Sequence, residues 1–233
     1  MWRVKRLRLW GGGNHLSSRS NGFTLAEVLV TLGIIGVVSA MTVPSLMQNY
    51  QRQSYVTQLH KFYNILSQGL VQVMADKNAV NLKEAGLTTL SEWNSFFNTY
   101  YKIIQDCKET QTPCMASSYK KISGQFISGN TSRYITLADG TSLGYLNIND
   151  PDASLIAVLY VDVNGAKGPN LVGRDLFAIY VYNNGIVDDY STSLPPISKE
   201  KREEMFNTSC INNNGTWNGC FGKILNDNWE MTY

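Results

Sequence analysis

Apolar positions follow three different rules along this chain. From Phe23 to Val43 they form a run, FTLAEVLVTLGIIGVVSAMTV, 21 residues with Glu27 as the single charge. As a helix the run would extend roughly 32 Å at 1.5 Å per residue, enough for a hydrocarbon core of about 30 Å. After Pro44 the run gives way to a period. Tyr55, Leu59, Phe62, Leu66, Leu70 and Val73 recur at spacings of three and four with polar residues between them. That spacing predicts an amphipathic extension of the helix to about Asp76, with one face laid on a globular head. The lone His60 on it is read as an ordinary surface residue. A second helix is predicted over Ser91–Gln105. Thr89-Leu90-Ser91-Glu92 fits a capping box, and Trp93, Phe96, Phe97, Tyr100, Tyr101 and Ile104 make an aromatic stripe, read as core packing.

The third rule is that of strands. Tyr134–Ala138 and Leu143–Ile148 flank Asp139-Gly140, a hairpin turn signal. Leu155–Val163 is a continuous apolar run that reads as a central strand. Leu176–Tyr182 and Ile186–Tyr190 flank Asn183-Asn184-Gly185 and read as a second hairpin. The sum is an antiparallel sheet of four or five strands under a long helix, an α+β fold. From Pro195 onward the chain is polar and Asn-rich, and it is expected to be an irregular tail tied down by a disulfide.

Composition narrows the classes. With 233 residues and 43% hydrophobic content the chain buries a real core, and a collagen-like, rod-like or disordered chain is excluded. Its net charge of +2 is unevenly placed. Residues 1–22 hold Arg3, Lys5, Arg6, Arg8 and Arg19 and no acid, which leaves 15 cations against 18 acids in the remainder. Such a body offers no electrostatic footprint for nucleic acid. The basic end precedes the apolar run, so by the positive-inside tendency the N-terminus stays in the cytoplasm and the rest is exported. A secretory signal peptide with a small-residue site at Val38-Ser39-Ala40 and an uncut signal anchor both fit this pattern. Neither accounts for Glu27, because a carboxylate near the start of an apolar segment is costly and usually has a task.

The hexapeptide Gly22-Phe23-Thr24-Leu25-Ala26-Glu27, followed by the apolar run and preceded by a basic leader, resembles the prepilin signature of type IV pilins and type II secretion pseudopilins. The resemblance covers about residues 17–75. It implies cleavage after Gly22 by a dedicated membrane peptidase on the cytoplasmic side, and N-methylation of Phe23 as the new N-terminus. It also implies that Glu27 pairs with the N-terminal amine of a neighbouring subunit, and that Pro44 is the helix-kinking proline many pilins carry. The leader is longer than most, and its Trp10-Gly11-Gly12-Gly13 stretch has no family counterpart. The implied partners are copies of the chain itself, the prepilin peptidase, and an inner-membrane assembly platform with its ATPase. The implied organisation is a leader over 1–22, a transmembrane and filament-core helix over 23–44, and an exported pilin-like head over 45–233. Within the head, 45–76 is the amphipathic helix, 77–194 the α+β core and 195–233 the tail. A minor or tip pilin and a DNA-uptake pseudopilin fit the same residues; a membrane-anchored or secreted binding or hydrolytic domain is the alternative of another class.

Three features of the head could carry chemistry. Four cysteines fall into close pairs, Cys107 with Cys114 and Cys210 with Cys220. Of three possible pairings the neighbour pairing closes two short loops, and neither spacing is the tight one that zinc prefers. Gly140-Thr141-Ser142-Leu143-Gly144 fits the nucleophile-elbow pattern, but no histidine follows His60 to act as its base. The stretch Asp162-Val163-Asn164-Gly165, continued by Gly173-Arg174-Asp175-Leu176-Phe177, is rich in oxygen ligands. Calcium on Asp162, Asn164 and Asp175 is one reading of it, and it resembles the calcium loop of major pseudopilins. The other is a structural turn in which Asp162 and Asp175 cap backbone amides. No other cofactor is expected. Glycosylation-type triplets at Asn130, Asn207 and Asn214 carry little weight for a bacterial chain.

Overall fold

The computed structural model describes residues 22–127, 131–148, 150, 152–192, 194–212 and 217–233. The basic leader up to residue 21 and the triplet positions Asn130 and Asn214 lie outside the described residues. The chain divides into two units, one ending at Leu46 and one running from Met47 to Tyr233. Helix α1, Leu25–Asp76, contributes to both.

In the first unit α1 is apolar on every side, and its side chains are exposed. Both threonine hydroxyls within it are satisfied locally: Thr31 Oγ1 donates to the Glu27 carbonyl at 2.9 Å and Thr42 Oγ1 to the Val38 carbonyl at 3.0 Å. Such back-bonding lets a polar side chain sit in an apolar segment without an unpaired donor. Among the described residues this is the one helix long and apolar enough to cross a membrane.

In the second unit the periodic half of α1 becomes a core element. Leu59, Phe62, Leu66, Leu70 and Val73 are buried along one stripe, as the spacing predicts, while Tyr55 is half-buried and Val56 beside it is buried instead. Helix α2, Leu90–Tyr100, lies on it. Its capping box is complete: Thr89 accepts from the Glu92 amide while the Glu92 side chain accepts from the Thr89 amide at 2.8 Å. Gly69 explains how closely the two helices approach. A Cβ there would stand 2.7 Å from the Tyr101 hydroxyl and 3.3 Å from the Phe96 ring, so only glycine leaves room. Trp93, Phe96 and Phe97 are buried in this contact, which makes the aromatic stripe core.

The sheet has six antiparallel strands rather than four or five. They are β1 Ile103–Lys108, β4 Arg133–Leu137, β5 Ser142–Asn147, β6 Leu155–Asp162, β7 Leu176–Tyr182 and β8 Val187–Asp188, in the order β1-β4-β5-β6-β7-β8. A separate hairpin joins β2 Tyr119–Lys120 to β3 Phe126–Ile127. The extra edge strand β1 comes from residues that the periodicity assigns to the end of the second helix. At Tyr101 the backbone turns extended and its hydroxyl reaches the Ile65 carbonyl at 3.2 Å. The β-branched pair Ile103-Ile104 then joins β4, so Ile104 is exposed instead of core. Pairing with a neighbouring strand outweighs a local helical period that ran on by chance.

The tail is also more regular than expected. Lys199–Met205 forms α3, a π-turn follows over Phe206–Cys210, and Cys220–Asn226 forms α4. Both helices are only seven residues long, and α3 holds six charged residues, so neither shows an apolar period. Anchors from the end of the sheet hold them in place. Asp188 accepts from Arg202 Nε at 2.9 Å and Nη2 at 2.6 Å. Buried Asp189 accepts from the Gly219 amide at 2.8 Å and the Gly222 amide at 2.7 Å. Because these two aspartates turn toward the tail, β8 stops at Asp188 instead of running to Tyr190.

Candidate processing and assembly site

Gly22, Phe23 and Thr24 precede α1 in non-helical, exposed backbone. Thr24 starts the helix. Its Oγ1 accepts from the Glu27 amide at 3.2 Å, and the Glu27 carboxylate accepts from the Thr24 amide at 2.8 Å and from the Thr24 hydroxyl at 2.9 Å. This is a capping box of the same T-x-x-E form as Thr89–Glu92. It satisfies two of the amides that a helix N-terminus leaves open, and it keeps the Gly22–Phe23 peptide outside the helix. Among the described residues nothing lies within 4 Å of the place where a Cβ of residue 22 would stand. A protease would meet non-helical backbone with no side chain at the position before the bond.

Thr24 has a role that the residue-level reading passes over, although the sequence held the signal in the spacing of Thr24 and Glu27. That reading gives Glu27 to an amine at Phe23; in the uncut chain the carboxylate is held by Thr24 instead. Pro44 stands inside α1 without ending it. It lacks an amide hydrogen, so the Ala40 carbonyl loses its usual donor there.

In the second unit the cysteines pair as neighbours, Cys107 with Cys114 and Cys210 with Cys220. Ser142 of the Gly140–Gly144 pentapeptide is buried at the start of β5, 3.0 Å from the Thr136 hydroxyl. A strand follows it where an elbow needs a helix. His60, read as a plain surface residue, is half-buried and stacks on Trp229 with ring centroids 4.0 Å apart. The tail helix α4 brings Trp229 there, which no local pattern announces.

The 162–175 loop uses its carboxylates on the protein's own donors. Asp162 accepts from the Asn164 amide at 3.2 Å and from the Tyr119 hydroxyl at 2.5 Å. Asp175 accepts from the amides of Asn170 and Leu171, each at 2.7 Å. The Asn164 side chain donates to the Gly168 carbonyl at 3.1 Å, while its Oδ1 and that of Asn170 have no donor among the described residues. Burial pushes Asp162 up to about 7; the Tyr119 hydrogen bond opposes this and the nearby Asp175 charge adds to it. Burial also raises Asp175, against its amide bonds. Among the described residues no three acidic, His or Cys side chains gather here, although calcium also takes Asn and carbonyl oxygens. Both carboxylates thus accept from backbone amides, as in a structural turn.

Residues 17–43 match the family described as the prokaryotic N-terminal methylation motif. No curated protein and no solved structure matches the chain. The matched segment contains the open Gly22–Phe23 peptide, the Thr24–Glu27 capping box and most of the apolar length of α1. In proteins with this motif the segment goes with prepilin-peptidase processing, membrane anchoring and assembly into filaments. The chain carries, over residues 17–43, the N-terminal methylation signature of type IV pilins and pseudopilins.

Proposed function

We propose that this protein is a structural subunit of a type IV pilus or a type II secretion pseudopilus. In this reading residues 1–22 are a cytoplasmic leader, 23–44 the membrane and filament-core helix, and 45–233 the exported head. The peptidase cuts after Gly22, Phe23 is N-methylated, and the subunit waits in the inner membrane with its head outside. Polymerisation then packs the apolar helices together, and an assembly platform with its ATPase draws subunits from the bilayer. Glu27 supplies the specific term. A carboxylate and an ammonium are each costly alone in an apolar bundle, and Glu27 of one subunit neutralises the Phe23 amine of its neighbour. The chain has no catalytic role of its own. The observation that carries the reading is the methylation motif over residues 17–43 joined to an exposed, all-apolar stretch of helix.

The N-terminal peptide of the protein recovered from membranes tests it by mass spectrometry. A chain beginning at N-methylated Phe23 supports the reading. One beginning at Met41 means an ordinary signal peptide and ends it. An uncut chain in cells that possess the peptidase means an anchored domain whose function lies in the head.

A further inference from the structure

The head holds a cavity of ≈ 190 Å³ that a filament role leaves unused. Two loops far apart in the sequence meet there. The Cys107–Cys114 bridge closes the loop that carries Gln111 and leads into Ser117 and Ser118; the Cys210–Cys220 bridge closes the loop that carries Trp217. The hairpin and the sheet complete the wall with Tyr119 on β2, Tyr134 on β4 and Tyr160 on β6. Trp217 stacks on Tyr160 with centroids 4.1 Å apart and planes 27° apart. Both disulfides therefore pin loops of a single aromatic-walled recess.

The lining states what it would hold. Among the described residues no charged side chain lines the recess, so an ionic ligand would lose its hydration there without a counter-charge. Four polar groups have no hydrogen-bond partner among the described residues: the hydroxyls of Ser117, Ser118 and Tyr160 and the indole N–H of Trp217. Aromatic faces offer apolar area, while Tyr and Trp add a polar tip at the edge. A ligand that matches needs a flat C–H face and a rim of uncharged hydroxyls. Pyranose sugars have that form. We propose that this recess is a binding site for a neutral hexopyranose unit, stacked on the aromatic wall and hydrogen-bonded through Tyr160, Ser117 and Ser118. Disulfide-closed loops reduce the ordering cost of binding, and a single sugar ring in so small a site should bind with a Kd on the order of 1 mM.

Saturation-transfer NMR on the full chain, held in a detergent without a sugar headgroup, tests this with glucose, galactose, mannose and N-acetylglucosamine. Glucuronate and p-cresol serve as the charged and the purely apolar controls. The expected result is a saturable signal from at least one neutral sugar and none from glucuronate. Trp217→Ala should weaken it about tenfold or more. Tyr160→Phe, which keeps the ring and so the fold, should weaken it about threefold to tenfold by removing one hydroxyl. Near-ultraviolet circular dichroism identifies a variant that has lost its fold, and Tyr160→Phe then decides. The proposal is overturned if no neutral sugar gives a saturable signal from the folded wild-type chain, if p-cresol binds in place of the sugars, or if binding is indifferent to Tyr160→Phe.

Discussion

The two parts of α1 share one secondary structure and differ in everything that sustains it. Before Leu46, side chains such as Leu29, Val30 and Ile35 are 60–61% exposed, and the side chains of Thr24, Glu27, Thr31 and Thr42 find their partners within four residues. Beyond Val56, Leu59, Leu66 and Leu70 are fully covered within the core of the head. Apart from the Ala40 carbonyl opposite Pro44, the first part makes its backbone bonds within itself, and it lacks an apolar surrounding. The second has its surrounding built from its own chain. A helix of the first kind suits lipid and then a bundle of copies; one of the second kind is a scaffold that the head cannot lose. Changes in the two parts should therefore have separable consequences.

The sharpest separation comes from Glu27. Glu27→Ala is expected to abolish filaments, counted by electron microscopy of sheared cells, while the thermal midpoint of the head stays put. Glu27→Gln refines the test, because its carbonyl can still accept from Thr24 but carries no charge to meet an amine. If Gln restores filaments, the cap matters and the charge pair does not, and the assembly argument fails. The opposite pattern is expected of Arg202. Its partner Asp188 is only 1% exposed, so Arg202→Met strands a buried carboxylate, at a cost of about 3–5 kcal/mol. Urea denaturation should show that loss, with the amount of membrane-inserted chain unchanged. Arg202→Lys should recover only part of it, since an ammonium cannot reproduce the two-pronged contact.

This division also explains what the sequence made legible. The apolar run, the Gly22–Glu27 hexapeptide and the buried stripe of α1 depend on contacts within a few turns, so pattern alone discloses them. So do the Thr89–Glu92 cap and the paired strands on either side of Asp139-Gly140. Strand β1 was hidden because an aromatic helical period continued through Tyr101 and Ile104 while β4, some thirty residues on, took the backbone away. The helices α3 and α4 were hidden because they are held by Asp188 and Asp189 of the sheet rather than by a face of their own. Trp217 and Gln111 meet in one recess only through two disulfides and the sheet between them. The cap at Thr24 is different in kind. Its signal lay in plain view and was eclipsed by the motif around it.

The head should also respond to pH where the apolar part of α1 does not. Burial raises Asp162 to about 7 and Asp189 to about 6, both above the unfolded value near 3.8. The folded head therefore holds protons that the unfolded chain releases. The stability this gives is fully present below pH 3.8 and is lost as pH rises through about 6 and then 7. In the presence of a chelator the thermal midpoint should fall between pH 5 and pH 8. Asp162→Asn should flatten the upper part of that fall, because the amide can accept from Asn164 and donate to Tyr119 without ionising. A midpoint that rises over this range would mean that the ionised carboxylates are better matched than the geometry indicates.

The smallest expected effect is that of calcium, and it decides between the two readings of the 162–175 loop. An ion would need the oxygens of Asp162 and Asp175, yet both carboxylates already accept from Asn164, Tyr119, Asn170 and Leu171. Binding would have to break some of these bonds or add to them through the open Oδ1 atoms of Asn164 and Asn170. Calcium should therefore leave the thermal midpoint at pH 8 unchanged, although at that pH Asp162 is mostly ionised and most receptive. A rise that grows with calcium concentration, and disappears in Asp175→Asn, would reinstate the metal. It would also reverse the pH trend of the head, since a bound cation favours the charged carboxylates that burial alone disfavours.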